Sequence, residues 1–144
     1  KGAFDNVLEV CSTVERDGRT QPLDEAERER LHALFESRSR DGFRVLGLAV
    51  KDTAPKARYE VTDERDMRFV GYLLFVDPPR KDAAQTLHEL TRLGLRVKVI
   101  TGDNRYVAAY IGRAVGLDPG AMLTGAELAD MRDEALWQRC EQTD

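Results

Sequence analysis

The feature that most constrains this chain is an alternation of short apolar runs and helical patterns in its second half. Apolar runs at residues 70–76, 95–100 and 122–123 are separated by helical patterns at 82–93 and 104–115. The order predicts β-α-β-α-β, an α/β arrangement in which a parallel sheet is covered by helices and ligands bind beyond the carboxyl ends of the strands. Asp77 and Thr101 stand at two of those ends. Gly94 and Gly116 follow the helical patterns where left-handed caps are favoured, and Asp82 and Asp103 precede them as candidate N-caps.

The first half has a different texture. Up to about residue 70 it is heavily charged, and after Pro22-Leu23-Asp24 the run Glu-Ala-Glu-Arg-Glu-Arg leads into Leu31, Leu34 and Phe35, an apolar helical face ending near Gly42. Residues 43–50 predict a strand buried on both faces, interrupted only by Arg44. Residues 52–68 show neither period and read as a loop, with a domain boundary near residue 70. Residues 126–140 predict a helix marked by Leu128, Met131 and Leu136, and Met122, Met131 and Trp137 read as core.

Composition limits the partners. With 144 residues the chain is one domain or parts of two, and 42% hydrophobic against 33% charged residues suits a packed core. Twenty-two basic and 26 acidic residues leave a net charge of −4, which supplies no field for nucleic acid or an anionic membrane, so a phosphate ligand must be held locally. The longest apolar run, residues 69–76, falls well short of the ~20 residues of a membrane-spanning helix. The opening Lys-Gly-Ala-Phe-Asp has no secretory-signal layout, and the chain reads as an excised segment. Cys11 and Cys140 suggest cytosolic free thiols rather than a zinc site or a disulfide, and His32 and His88 lie on helical patterns without a ligand constellation.

Chemistry concentrates at residues 97–104, Val-Lys-Val-Ile-Thr-Gly-Asp-Asn, where a predicted strand runs into a predicted helix. The helix start offers unpaired N–H groups, Gly102 allows close approach of a phosphate, and Thr101 brings a hydroxyl. Asp103 either meets a sugar hydroxyl, a water or magnesium, or caps the helix. Arg44 needs a carboxylate or phosphate partner unless it snorkels at the strand edge. Lys1-Gly2-Ala3 places an ammonium beside a backbone that a flat base or phosphate can approach, or is a solvated terminus. Asp77-Pro78-Pro79-Arg80 reads as a rigid turn, because Pro79 stands where a second acid would accompany a nucleophilic aspartate.

Lys1-Gly2-Ala3, Gly42-Phe43-Arg44-Val45-Leu46, Asp77-Pro78-Pro79-Arg80 and Thr101-Gly102-Asp103-Asn104 occur in the order and rough spacing of the P-type cation-transporting ATPases, which the chain resembles over nearly its whole length. Val7-Leu8-Glu9-Val10-Cys11-Ser12, the run from Gly71 to Val76 and Leu123-Thr124-Gly125-Ala126-Glu127-Leu128 are most similar to the bacterial magnesium-importing branch. The resemblance implies that residues 1–70 are the later part of a nucleotide-binding domain. It implies that residues 71–144 are part of a haloacid-dehalogenase-like phosphorylation domain. Lys1 and Gly2 would line the adenine pocket, and Arg44 would reach the nucleotide phosphates. Thr101, Gly102 and Asp103 would meet the transferred phosphoryl group, and Asp77 and Pro78 would belong to a hinge.

The same resemblance implies ATP with Mg2+, an aspartyl-phosphate, a transported cation, and attachment to the cytoplasmic face of a membrane through the rest of the same protein. The nucleophile motif Asp-Lys-Thr-Gly-Thr, the Gly-Asp-Gly magnesium loop and membrane helices are absent from these residues, so this chain alone is expected to be inactive. Two alternatives stand beside it. One is a stand-alone nucleotide-binding or regulatory module without catalysis; the other is a haloacid-dehalogenase-type phosphatase, for which Asp77 lacks the partner acid.

Overall fold

A computed structural model describes residues 1–141 and residue 143. The chain forms two compact units, Lys1–Arg38 with Phe43–Phe75, and Ser39–Gly42 with Val76–Asp144. The first contains β1 (Gly2–Ala3), α1 (Phe4–Glu9), β2 (Cys11–Arg16), β3 (Arg19–Pro22), most of α2 (Glu25–Arg40), β4 (Arg44–Val50) and β5 (Met67–Phe75). The second holds α3 (Ala83–Arg92), α4 (Arg105–Val115), α5 (Gly125–Ala129) and α6 (Asp133–Glu141).

One five-stranded sheet runs in the order β1-β4-β5-β2-β3. Only β2 and β5 pair in parallel; β1–β4, β4–β5 and β2–β3 are antiparallel. The β2–β3 hairpin turns at Asp17 and Gly18, whose φ values of 51° and 73° fit the two-residue turn that favours Asp-Gly. Asp24 starts α2 by accepting the Glu27 N–H at 2.9 Å, which ties down one of the helix's orphan donors.

The core lies between the sheet and the two helices of the first unit, and is built from Phe4, Val7, Leu8, Cys11, Val14, Leu23, Leu31 and Phe69. Phe4 stacks on Phe35 at 4.6 Å and on Tyr72 at 5.6 Å, and meets Phe69 edge-on at 6.1 Å. Such aromatic pairs add about 0.5–1.5 kcal/mol each beyond their burial. The Tyr72 hydroxyl donates to the Leu31 carbonyl at 2.8 Å, and burial pushes its pKa up. Arg28 donates to the carbonyls of Leu8 and Cys11, tying α2 to the end of α1 and the start of β2. Gly47 lets α1 approach the sheet, since a Cβ there would stand 2.9 Å from the Cβ of Val7.

Several expectations are corrected. The run at 70–76, expected in the second part of the chain, falls mostly within β5, the central strand of the first unit's sheet, and the compact units divide after Phe75. Residues 95–100 and 122–123 form no strand, so no parallel sheet exists among the described residues of the second unit. The helices predicted beside them do form, because apolar periodicity is local whereas a ladder needs a neighbour, though the side chain of Asp82, expected to cap α3, makes no capping hydrogen bond. β4 is buried on one side, through Val45 and Gly47, rather than on both. Trp137 is 76% exposed and is not core.

Candidate functional site

The register across three strands decides which side chains share a face. Gly2, Gly47 and Tyr72 form one row; Ala3, Leu46 and Leu73 form the next. Tyr72 packs against the α1/α2 core, and successive residues of a strand point to opposite faces. The second row therefore projects from the face turned away from that core. Arg44, two residues from Leu46 and paired with Phe75, projects with it, and Lys1 immediately precedes β1. Continued by one residue, the β1–β4 register would bring Lys1 beside Leu48, roughly 13 Å along β4 from Arg44 at ~3.3 Å per residue.

This face carries Arg44 near one end of an apolar strip made by Leu46, Leu48 and Leu73, all half-buried, and Lys1 precedes β1 near the other. Arg44 is exposed as the first residue of β4, so it is not the cation among buried positions that its sequence context suggested. The apolar strip was missed in the sequence; its signal was the alternation of Arg44, Leu46 and Leu48 with the buried Val45 and Gly47. An apolar strip with a guanidinium and an ammonium at its ends can seat a flat ring against leucine while meeting anionic oxygens.

The Thr101–Asp103 turn lies in the second unit. The Thr101 hydroxyl donates to the Asp103 carboxylate at 3.0 Å and accepts the Asp103 N–H at 3.1 Å. Thr101 and Gly102 are exposed and Asp103 is half-buried. A Cβ on Gly102 would find open space, so the approach to this backbone is clear. Asp103 does not cap α4. Asn104 does, its side-chain oxygen accepting the N–H groups of Tyr106 at 3.0 Å and Val107 at 3.1 Å while its amide donates to the Ser39 hydroxyl at 3.2 Å. Two of the backbone donors expected to await an anion are therefore already bonded, and the turn's own atoms are what a ligand would meet.

Asp77 and Pro78 are exposed in an irregular stretch; beyond them Arg80 forms an ion pair with Asp82 at 3.0 Å, and the Ala83 N–H donates to the Arg80 carbonyl. Gly2 and Arg44 thus share one sheet, with Lys1 immediately before β1, Thr101, Gly102 and Asp103 share one turn, and the two groups belong to different units. Among the described residues, no three His, Cys, Asp or Glu side chains cluster as metal ligands, and no helix is long and apolar enough to cross a membrane.

Comparison with known proteins agrees with the motifs. Residues 1–82 match the family model of the P-type ATPase cytoplasmic domain N. The chain is 35% identical over 144 residues to magnesium-transporting ATPase, P-type 1, of Escherichia coli K12, an alignment covering 99% of this chain and 16% of that protein. The protein of the same name from Salmonella typhimurium LT2 is 36% identical over 137 residues, covering 94% of this chain and 15% of the relative. Calcium-transporting ATPase 1 of Yarrowia lipolytica is 34% identical over 151 residues, with 99% and 16% coverage. Since the family model spans more than half of the chain, the chain belongs to the P-type ATPases.

Proposed function

We propose that this chain is part of a magnesium-transporting P-type ATPase, with residues 1–75 contributing to nucleotide binding and residues 76–144 to a haloacid-dehalogenase-like phosphorylation domain. The observation that supports the reading is the sheet register that puts Arg44 on the same face as Leu46 and Leu73, with Gly2 paired to Gly47 and Lys1 just before β1. Leu46, Leu48 and Leu73 would receive the adenine beside Lys1 and Gly2, and the Arg44 guanidinium would hold phosphate oxygens. Thr101 and Gly102 would present a hydroxyl and an unhindered backbone to the γ-phosphoryl group, with Asp103 oriented by its two bonds to Thr101. Asp77 and Pro78 would form the hinge.

The nucleophilic aspartate would come from outside these residues. Its carboxylate oxygen would bond to the γ-phosphorus as the bond to the β-phosphate oxygen breaks, leaving ADP and an aspartyl-phosphate. Magnesium would arrive on the ATP phosphates and neutralise part of their charge. Formation and hydrolysis of the acyl phosphate would drive a cation through membrane helices elsewhere in the protein, with this part at the cytoplasmic face. Similarity to magnesium transporters over nearly the whole chain supports magnesium as that cation.

The test is phosphorylation of the full-length protein by γ-labelled ATP. An acid-stable, hydroxylamine-labile phosphoenzyme is expected, and Arg44→Ala should weaken nucleotide affinity about tenfold, the value of losing one charge-assisted contact. Nucleotide binding without any phosphoenzyme would favour a binding or regulatory module instead. Unchanged affinity in Arg44→Ala would remove Arg44 from the site.

A further inference from the structure

α4 carries Arg105, Ala109 and Arg113 along one stripe, four residues apart, so the two arginines stand two turns from each other, roughly 12 Å at 1.5 Å per residue. With Tyr106 beside them and Pro119 and Gly120 opposite, they line an open cavity of about 530 Å3 in which no carboxylate takes part. Neither guanidinium makes a hydrogen bond or an ion pair among the described residues.

The acids near the cavity are committed elsewhere. Glu127 accepts the Thr124 N–H and hydroxyl, each at 2.7 Å, bonds that hold its carboxyl below the usual range with a smaller contribution from the charge of Arg105. Asp118 accepts the Gly120 N–H at 2.8 Å. The Arg40 guanidinium lies over the Tyr106 ring, 4.7 Å from its centroid, which steadies that wall. None of Lys1, Gly2, Arg44, Thr101, Gly102 or Asp103 lines this cavity.

We propose that the cavity binds a small polyanion of diphosphate size between Arg105 and Arg113. Guanidinium groups stay charged at any physiological pH and present planar forks that match phosphate oxygens. The small Ala109 leaves the floor between them empty of side chain, so arms from both ends reach one ligand. A singly charged anion would neutralise one guanidinium and leave the other, whereas a diphosphate satisfies both. The ligand is free diphosphate; the diphosphate of a nucleotide is the competing source that the experiment separates from it.

The experiment titrates inorganic pyrophosphate calorimetrically into the full-length protein, with and without a saturating non-hydrolysable ATP analogue. Saturable binding that persists with the analogue present is expected, weakening with added salt. Arg113→Gln and Arg105→Gln should each weaken it about tenfold, Arg113→Lys less, and Arg44→Ala not at all. Both arginines are exposed, so the variants should keep the wild-type circular dichroism and melting temperature. Binding abolished by the analogue would place pyrophosphate in the nucleotide site and overturn the proposal, as would unchanged affinity in the Arg105→Gln/Arg113→Gln double variant. Nucleotide affinity in that double variant should stay at the wild-type value, so failure here leaves the reading of Lys1 and Arg44 intact.

Discussion

Phe69 and Ile100 both belong to apolar runs that read as strands, yet Phe69 is 1% exposed and Ile100 is 99% exposed. The difference lies in their neighbours. Phe69 sits on β5, which has β4 on one side, β2 on the other and the side chains of α1 above it. Ile100 ends a run that has no ladder partner among the described residues, and Leu95 and Val99 of the same run are also exposed. An apolar run records that burial is intended, but a strand exists only where another backbone supplies the donors and acceptors.

The largest effect should come from the sharpest form of that contrast. Phe69→Ala is expected to cost about 3–5 kcal/mol in denaturant unfolding, the range for removing a fully buried ring, while Ile100→Ala should stay within about 0.5 kcal/mol. A comparable loss at both positions would mean that the second run is packed after all.

Acid should next act on the first unit. Glu27 is buried, and its carboxyl is held below its ordinary value first by the hydrogen bond from Arg30, then by the charges of Arg30 and Arg16, against the opposing cost of burial. Because the folded-state pKa is lowered, the stabilisation is complete above the ordinary value of about 4.5 and is lost as the pH falls through the lower folded value. Glu27→Gln should flatten the acid limb of stability against pH. An identical acid limb in wild type and variant would remove this pair as the cause.

The smallest effect separates two adjacent residues of the second unit. Asn104→Ala should cost about 1 kcal/mol by releasing the Tyr106 and Val107 N–H groups, whereas Asp103→Ala leaves those two N–H groups capped. A melting temperature lowered equally by both would make the turn and the cap one structural unit.

Legibility followed range. The α2 helix and its end near Gly42, the α3 and α4 helices, and the Gly116 cap at φ 88° were readable because periodicity and caps act within a few residues. The β2–β3 hairpin was also readable, from Asp17-Gly18 between residues of strand propensity, but the charge of its flanks obscured it. β1 and α1 were not, since two and six residues are too few for a period and owe their existence to Gly47 and the core. Of the candidate site, the residue types at Lys1, Arg44 and Thr101–Asp103 were visible in the motifs. The leucine strip between the cations was not, because it depends on how β1, β4 and β5 pair.

The sequence by itself determined the local helices, the caps and turns, the lack of a long apolar span, and the motifs that mark the family, because each rests on residues close together in the chain or on their order. Only the tertiary structure decided that β5 belongs with the first unit, that Arg44 shares with Leu46 and Leu73 the face turned away from the core, and that residues 95–100 stay unpaired. Those outcomes depend on strand register and on competition for backbone hydrogen bonds between distant segments, which no local pattern encodes.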